Sequence, residues 1–227
     1  RSMIHGAGTS SRVERILTGV VSLIHEAGSL VVIEGVETER EALVAIAANA
    51  DMVQGFYFAR PQQRISQNTK FAEDIDHLLK IQQRQRFKNS HQMNQDFKKI
   101  ETLFRQAVSE FSITNAFDNS TLILFKEKRA VRCYLLDEVG YQMARNVYSP
   151  HYQQKMDTRF TPLLSGDNAN WSHKHYHFRA IEHPGEMQVS RPYLSVADSR
   201  MCITVSQTVV VHNKLYVFCC DLDWQDD

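Results

Sequence analysis

Three groups of residues have the types and spacing to do chemistry. The first is acidic. Leu30-Val-Val-Ile runs straight into Glu34, Gly35 and Glu37, and Gln54 and Gly55 follow in a second apolar run that ends at Pro61. Carboxylates at the C-terminal end of a strand stand where parallel α/β barrels place their reacting groups. Two acids ahead of a helix also suit the positive end of its dipole, so capping accounts for them as well. The second group is His173, His175 and His177, with His183 close by. On a strand, alternate residues share a face, and imidazoles there could hold zinc. No Cys or Asp completes that set locally, so a solvated or hydrogen-bonded histidine cluster is the competing reading. The third group is Tyr176, Arg179, Arg191 and Tyr193. Arginine binds carboxylates in bidentate fashion, so this set suits an anionic or amino-acid-like ligand. The same four residues can instead brace the fold.

These groups need elements to position them. Leu30 to Glu34 reads as a strand buried on both faces. Thr38 with Glu41 makes a capping box that opens a helix carrying Leu43, Ile46 and Ala47. Asn49 tolerates the left-handed conformation that closes a helix. Asp51 to Phe58 is the next strand, so strand, acidic loop, helix and strand form one βαβ unit. Ahead of it, residues 12–27 predict an amphipathic helix with Val13, Ile16, Leu17, Val20, Leu23, Ile24 and Ala27 on one face, ended by Gly28. After it, a helix runs from about Asn68 to Gln85, then a basic Gln/Arg stretch reads as a solvated helix or linker.

From His91 to Phe111, Met93, Phe97, Ile100, Phe104, Ala107 and Phe111 form a heptad seam. That seam is either a dimerising signalling helix or an amphipathic helix packed on its own domain. Phenylalanine every seventh residue favours the second reading and the regular spacing favours the first. Beyond Asn115 the pattern is β-rich. Leu122–Phe125 reads as β-like, and residues 131–145 as a hairpin turning at Gly140. A loop-rich region spans Tyr148 to about Asn170. Two long strands close the chain, Met201–His212 and Lys214–Trp224, with Asn213 at the turn.

Composition narrows the function. The 227 residues suit one or two domains, and a hydrophobic content of 43% is enough for a real core. Lys+Arg 26 balances Asp+Glu 26, so no net field draws the chain to nucleic acid or membrane. No apolar run approaches the ~20 residues of a membrane helix, and no secretory leader is visible. The cysteines are Cys133, Cys202, Cys219 and Cys220, without CxxC spacing. Reduced, buried thiols in a cytoplasmic protein are the expectation.

Glu34-Gly-Val-Glu-Thr38 followed by Gln54-Gly-Phe-Tyr-Phe-Ala-Arg-Pro61 resembles the last part of an EAL domain. The resemblance covers residues 1 to about 84, and Arg1-Ser-Met-Ile4 is similar to the segment after the family's Lys-x-Asp motif. It implies a TIM-like barrel and hydrolysis of cyclic di-GMP to linear pGpG by a divalent metal pair, Mg2+ or Mn2+. It also implies that Glu34 lies beside the metals, that Glu37 holds the loop, and that Gln54, Gly55 and Pro61 line the nucleotide site. The earlier motifs of the family are absent: the Glu-Ala-Leu signature, the metal-binding Asn and Glu, the paired Asp residues and the Lys-x-Asp motif. The expectation is a piece of a longer, processed parent that holds no metal and hydrolyses nothing by itself. Trp171 with Tyr176–Ala180, Ser190–Ser195, and the strands at 202–206 and 219–224 are similar to PAS-like and Cache-like sensor domains.

The expected architecture is an α/β remnant of the EAL barrel over 1–84, a connecting helix over 85–112, and an α+β PAS/Cache-like domain with an antiparallel sheet over 113–227. The expected function is the regulatory region of a cyclic di-GMP phosphodiesterase, forming a homodimer and binding an unidentified small ligand. The alternative is a degenerate EAL scaffold or binding module, with the last domain as receptor or dimerisation module.

Overall fold

A computed structural model describes residues 2–61, 70–153 and 166–224. The start of the helix expected at Asn68 and most of the loop-rich segment before Gly166 lie outside the described residues. The chain divides into two units, one running to Asn94 and the other over Gln95–Gln225. Helix α4, Lys70–Thr114, contributes residues to both.

The first unit is built on a parallel pair of strands, β1 (Val32–Glu34) and β2 (Met52–Gln54). Helices α1 (Ser2–Ala7), α2 (Ser11–Glu26) and α3 (Glu39–Ala47) complete it with the first part of α4. The βαβ order is as the sequence predicts, and so are the signals that open and close its helix. Thr38 and Glu41 form a reciprocal capping box at the start of α3. Asn49 takes φ 66° after that helix, and Gly28 takes φ 78° after α2.

Three expectations are corrected here. Strand β1 is not buried on both faces: Val31 and Ile33 are buried, whereas Val32 is 46% exposed beside its register partner Met52 at 48%. A two-stranded sheet has one packed face, so burial alternates along each strand. The second strand stops at Gln54, because at Gly55 the backbone of Val36 crosses within 1.9 Å of where a Cβ would sit. The buried stripe of α2 is Leu17 and Val21, with Val13 and Ile24 partly buried, while Ile16, Val20 and Leu23 are exposed.

The second unit is a six-stranded sheet in the order β4-β3-β8-β7-β5, with β6 also on β7. Its strands are β3 (Ala130–Asp137), β4 (Val147–Tyr148), β5 (Gln188–Val189), β6 (Tyr193–Leu194), β7 (Met201–Val211) and β8 (Lys214–Asp223). All the pairings are antiparallel. The β7–β8 hairpin turns on His212 at φ 47° and Asn213 at φ 62°. Two central residues with positive φ make the tight turn whose twist matches its strands.

Helices cover both faces of this sheet. On one side lie the second part of α4 and α5 (Phe117–Leu124), over Cys133, Leu135, Val205, Phe218, Cys220 and Leu222. On the other lies α6 (His175–Glu182), over Tyr134, Leu136, Val217 and Cys219. Consecutive residues of β3 and β8 therefore go to opposite cores, as a period of two requires. The seam residues Ile100, Phe104, Ala107 and Phe111 are all buried in the first of these cores. Within the described side chains the seam packs on its own domain, and the coiled-coil reading loses those four residues.

Leu122–Phe125 is helical rather than β-like. Ser120 and Thr121 bond back to the carbonyls of Ala116 and Asp118, and Leu124 and Phe125 reach the core from the end of α5. A short apolar run does not distinguish a strand from a buried helix segment. The expected hairpin over 131–145 has only one regular strand. Its second half makes isolated bridges, Leu136 with Gln142 and Tyr141 with Asn170, while Gly140 turns at φ 95°.

Candidate functional site

The first candidate site follows from β1 and β2 ending side by side. Register pairs Glu34 with Gln54 as the last residues of both strands. Gly35 then turns at φ 75°, and the backbone N–H of Val36 donates to the Gln54 carbonyl at 3.1 Å. Tyr57 N–H returns to the Val36 carbonyl at 3.0 Å. The two loops are thereby laced together across Gly55. The result is an open cleft of about 270 Å³ lined by Glu34, Gly35, Glu37, Gln54, Gly55 and Phe56. Four of the five residues singled out for this site thus meet in one place, while Pro61 is not among the lining residues. The loop is held from behind by Glu41, whose carboxylate accepts from the N–H of Glu37 at 2.7 Å and of Thr38 at 3.0 Å, and bonds the His5 ring.

The donor set does not fit a resident metal. Among the described residues no group of three or more His, Cys, Asp or Glu side chains could hold an ion. Glu34 and Glu37 offer carboxylates without the further ligands that a two-metal centre needs. No hydrolytic step follows from these residues alone.

The second candidate site lies on the α6 face of the six-stranded sheet. Tyr176, Arg179, Arg191 and Tyr193 line one cleft of about 610 Å³, with His173, Lys174, His175 and Gln188 among their neighbours. Tyr176 and Tyr193 form its inner wall, with ring centroids 6.1 Å apart. Burial pushes the ionisation of both phenols upward, so both stay neutral O–H groups. Arg179 and Arg191 are exposed at its rim.

The histidines do not make a metal site. His175 and His177 lie on a helix rather than a strand, so the expected alternation does not put them on one face. His175 packs on Phe178, and His177 is buried with its Nε2 3.2 Å from the Asp137 carbonyl.

Sequence reasoning missed the polar centre behind the tyrosines. Asp221 on β8 is the register partner of Arg132 on β3 and of Thr204 on β7. Arg132 Nη2 lies 2.5 Å from Asp221 Oδ2 and donates to Ser195 Oγ at 2.9 Å. Asp221 Oδ1 accepts from Thr204 Oγ1 at 2.7 Å, Tyr134 O–H at 3.1 Å and Tyr193 O–H at 3.4 Å. Burial opposes the charge on Arg132, but the Asp221 carboxylate beside it outweighs that penalty and holds the guanidinium protonated. Arg132 Nε and Nη1 nevertheless have no partner. A buried donor left unpaired costs about 1–3 kcal/mol. The available signal was a charge inside each of two apolar strands, Arg132 in Val131–Leu136 and Asp221 after Cys219-Cys220. Opposite charges in buried strands require each other.

Comparison with known proteins bears on the first part of the chain. Residues 1–61 match the family model of the EAL domain. That matched stretch contains every residue of the first cleft. A solved structure that the chain resembles is the YkuI protein of Bacillus subtilis, with an EAL domain, in complex with cyclic di-GMP and calcium. The likeness has a TM-score of 0.64 at 19% identity and covers 94% of this chain and 53% of that one. The chain thus spans about half the length of that relative, and at this identity the likeness is one of fold. Weaker likenesses are to the sensory domain of the Campylobacter jejuni chemoreceptor Tlp3 with isoleucine bound (TM-score 0.44, 15% identity, 60% of this chain and 56% of that one). Another is to the ligand-binding domain of Mlp24 with asparagine (TM-score 0.47, 11% identity, 66% of this chain and 60% of that one). A comparison with curated protein sequences found no match.

Proposed function

We propose that this chain is the regulatory C-terminal region of a cyclic di-GMP phosphodiesterase of the EAL family. Its first unit supplies one wall of the nucleotide site, and its second unit receives a small ligand. The observation that carries the reading is the cleft at the strand ends, where Glu34, Glu37, Gln54 and Gly55 converge within EAL-domain sequence. In a longer parent supplying the remaining ligands, Glu34 would stand beside a divalent metal pair, Mg2+ or Mn2+. Such a pair supplies a water nucleophile and stabilises the phosphoryl oxygens when bound. Glu37 fixes the loop that carries Glu34, and Gln54 and Gly55 face the nucleotide. In the second unit, Tyr176 and Tyr193 give the cleft an apolar wall and Arg179 and Arg191 give its rim two cations, the combination that holds a small polar ligand.

The test is made in the parent protein. Glu34→Gln is expected to abolish metal-dependent production of pGpG while leaving the circular dichroism spectrum of the fold intact. Unchanged turnover in that variant would remove Glu34 from the chemistry. A parent gene lacking the Glu-Ala-Leu, paired Asp and Lys-x-Asp motifs would remove the hydrolase and leave a binding scaffold.

A further inference from the structure

Two elements bring cations to the cleft on the α6 face. On α6, His175 and Arg179 are four residues apart and share a side of the helix, with Lys174 just ahead of them. The other wall is the edge of the sheet, where β5 and β6 both pair with β7. Val189 stands opposite Val205 and Tyr193 opposite Cys202, and Ser190 N–H donates to the Thr204 carbonyl at 2.9 Å. Arg191 and Pro192 are left opposite Ile203 alone. One extra residue in a strand makes a bulge, and a bulge re-aims side chains. Proline suits that place because it has no N–H to leave out of the ladder. Arg191 thereby lines the same cleft as Lys174 and Arg179.

The lining is unbalanced in charge. Lys174, Arg179 and Arg191 carry three positive charges, and no Asp or Glu is among the described residues that line the cleft. Within the described residues none of these cations has a salt bridge. Lys174 Nζ stands 6.0 Å from the Tyr193 ring centre. The acid behind the tyrosine wall, Asp221, is already bound to Arg132 and to three hydroxyls. Ser190 Oγ is used as well, donating to the Arg191 carbonyl at 3.0 Å and accepting from Thr204 N–H at 2.8 Å. Tyr176, Pro192 and Leu194 add apolar surface beside the cations.

We propose that this cleft takes a small organic anion with two negative charges and no ammonium group, a phosphate monoester or a dicarboxylate. A single carboxylate offsets one of the three cations. A dianion can bond Arg179 on α6 and Arg191 on the bulge at once, and each charge-assisted contact adds affinity. A zwitterionic amino acid brings an ammonium group to a wall of like charge that offers it no carboxylate. The ligand class so assigned deepens the receptor reading of the second unit and rests on it.

The test is calorimetric titration of the full 227-residue chain at pH 7.5 and fixed ionic strength, in a buffer free of oxyanions. The probes are phenyl phosphate, succinate, acetate and alanine. Arg179→Gln and Arg191→Gln are measured beside the wild type, both at exposed positions. The expected result is saturable binding of phenyl phosphate or succinate, about tenfold or more tighter than acetate, as one further charge-assisted contact supplies. Each substitution should weaken that binding, and alanine should not bind. The tighter of the two dianions tells phosphoryl from dicarboxylate recognition. Acetate binding as tightly as the dianions, or alanine binding in their place, overturns the dianion assignment and leaves the cleft a receptor. Dianion binding that both substitutions leave unchanged overturns this site. No binding of any of the four probes overturns the dianion assignment and the receptor reading together for these ligand classes.

Discussion

Glu41 is 5% exposed and serves several partners at once. Its carboxylate caps α3 through Thr38, holds Glu37 N–H behind the cleft, and bonds the His5 ring. Burial alone would raise its pKa, but the Glu37 N–H, the His5 side chain and the Thr38 N–H together leave it lowered. A carboxyl depressed in the folded state stabilises fully above its unfolded pKa, and that stability is lost as pH falls through the folded pKa. Urea unfolding of the first unit is therefore expected to weaken from about pH 4.5 downward. Glu41→Gln should be less stable at pH 7 and flatter in acid, and an unchanged acid slope would assign the effect to another group. The four cysteines make a second case at this scale. All are buried and free, and burial pushes the thiols of Cys133, Cys202 and Cys219 upward. A buried thiol with a raised pKa offers little thiolate. Ellman's reagent at pH 8 is expected to find no fast thiol in the native chain and all four in urea.

At the scale of elements, α4 shows what a periodic pattern leaves undecided. A 4-3-4 spacing says that a helix has an apolar stripe, not which partner covers it. The partner is β8: Phe218 meets Phe104 at 5.7 Å and Phe111 at 5.9 Å between ring centres, and Phe117 of α5 at 5.1 Å. Phe104 is fully buried there, whereas Phe87 on the same helix is 62% exposed. Phe104→Ala should cost about 3–5 kcal/mol in urea unfolding of the second unit, and Phe87→Ala within about 0.5 kcal/mol. A concentration-dependent midpoint for wild type, lost in Phe104→Ala, would instead return the seam to a dimer.

Local signals were legible where one residue does a local job. The Thr38–Glu41 box, Asn49, Gly28 and Asn213 all stand where their chemistry predicts. What was not legible depended on pairing. Leu122–Phe125 and His173–His177 carry patterns that a strand and a helix share, and the neighbouring chain decides between them. Of the first cleft, Glu34, Glu37, Gln54 and Gly55 were readable because they end two adjacent segments. Arg132 and Asp221 were not, because they meet only through the register of β3 with β8.

At the scale of the molecule, the first cleft raises the question of turnover. Hydrolysis of a phosphodiester by two metals needs several carboxylates to fix both ions and to orient water between them. The first cleft offers Glu34 and Glu37, and no cluster of three candidate ligands occurs among the described residues. Its sheet has two strands, whereas a closed barrel surrounds such a site from every side. The expected outcome is that the purified 227-residue chain produces no linear dinucleotide from cyclic di-GMP with either Mg2+ or Mn2+. Chromatography of the nucleotides after long incubation at high protein concentration checks this, with an EAL enzyme as positive control. Metal-dependent pGpG that disappears in Glu34→Gln would mean that this chain assembles a complete site, for instance from more than one copy. Glu34 would then be a catalytic ligand in the chain itself.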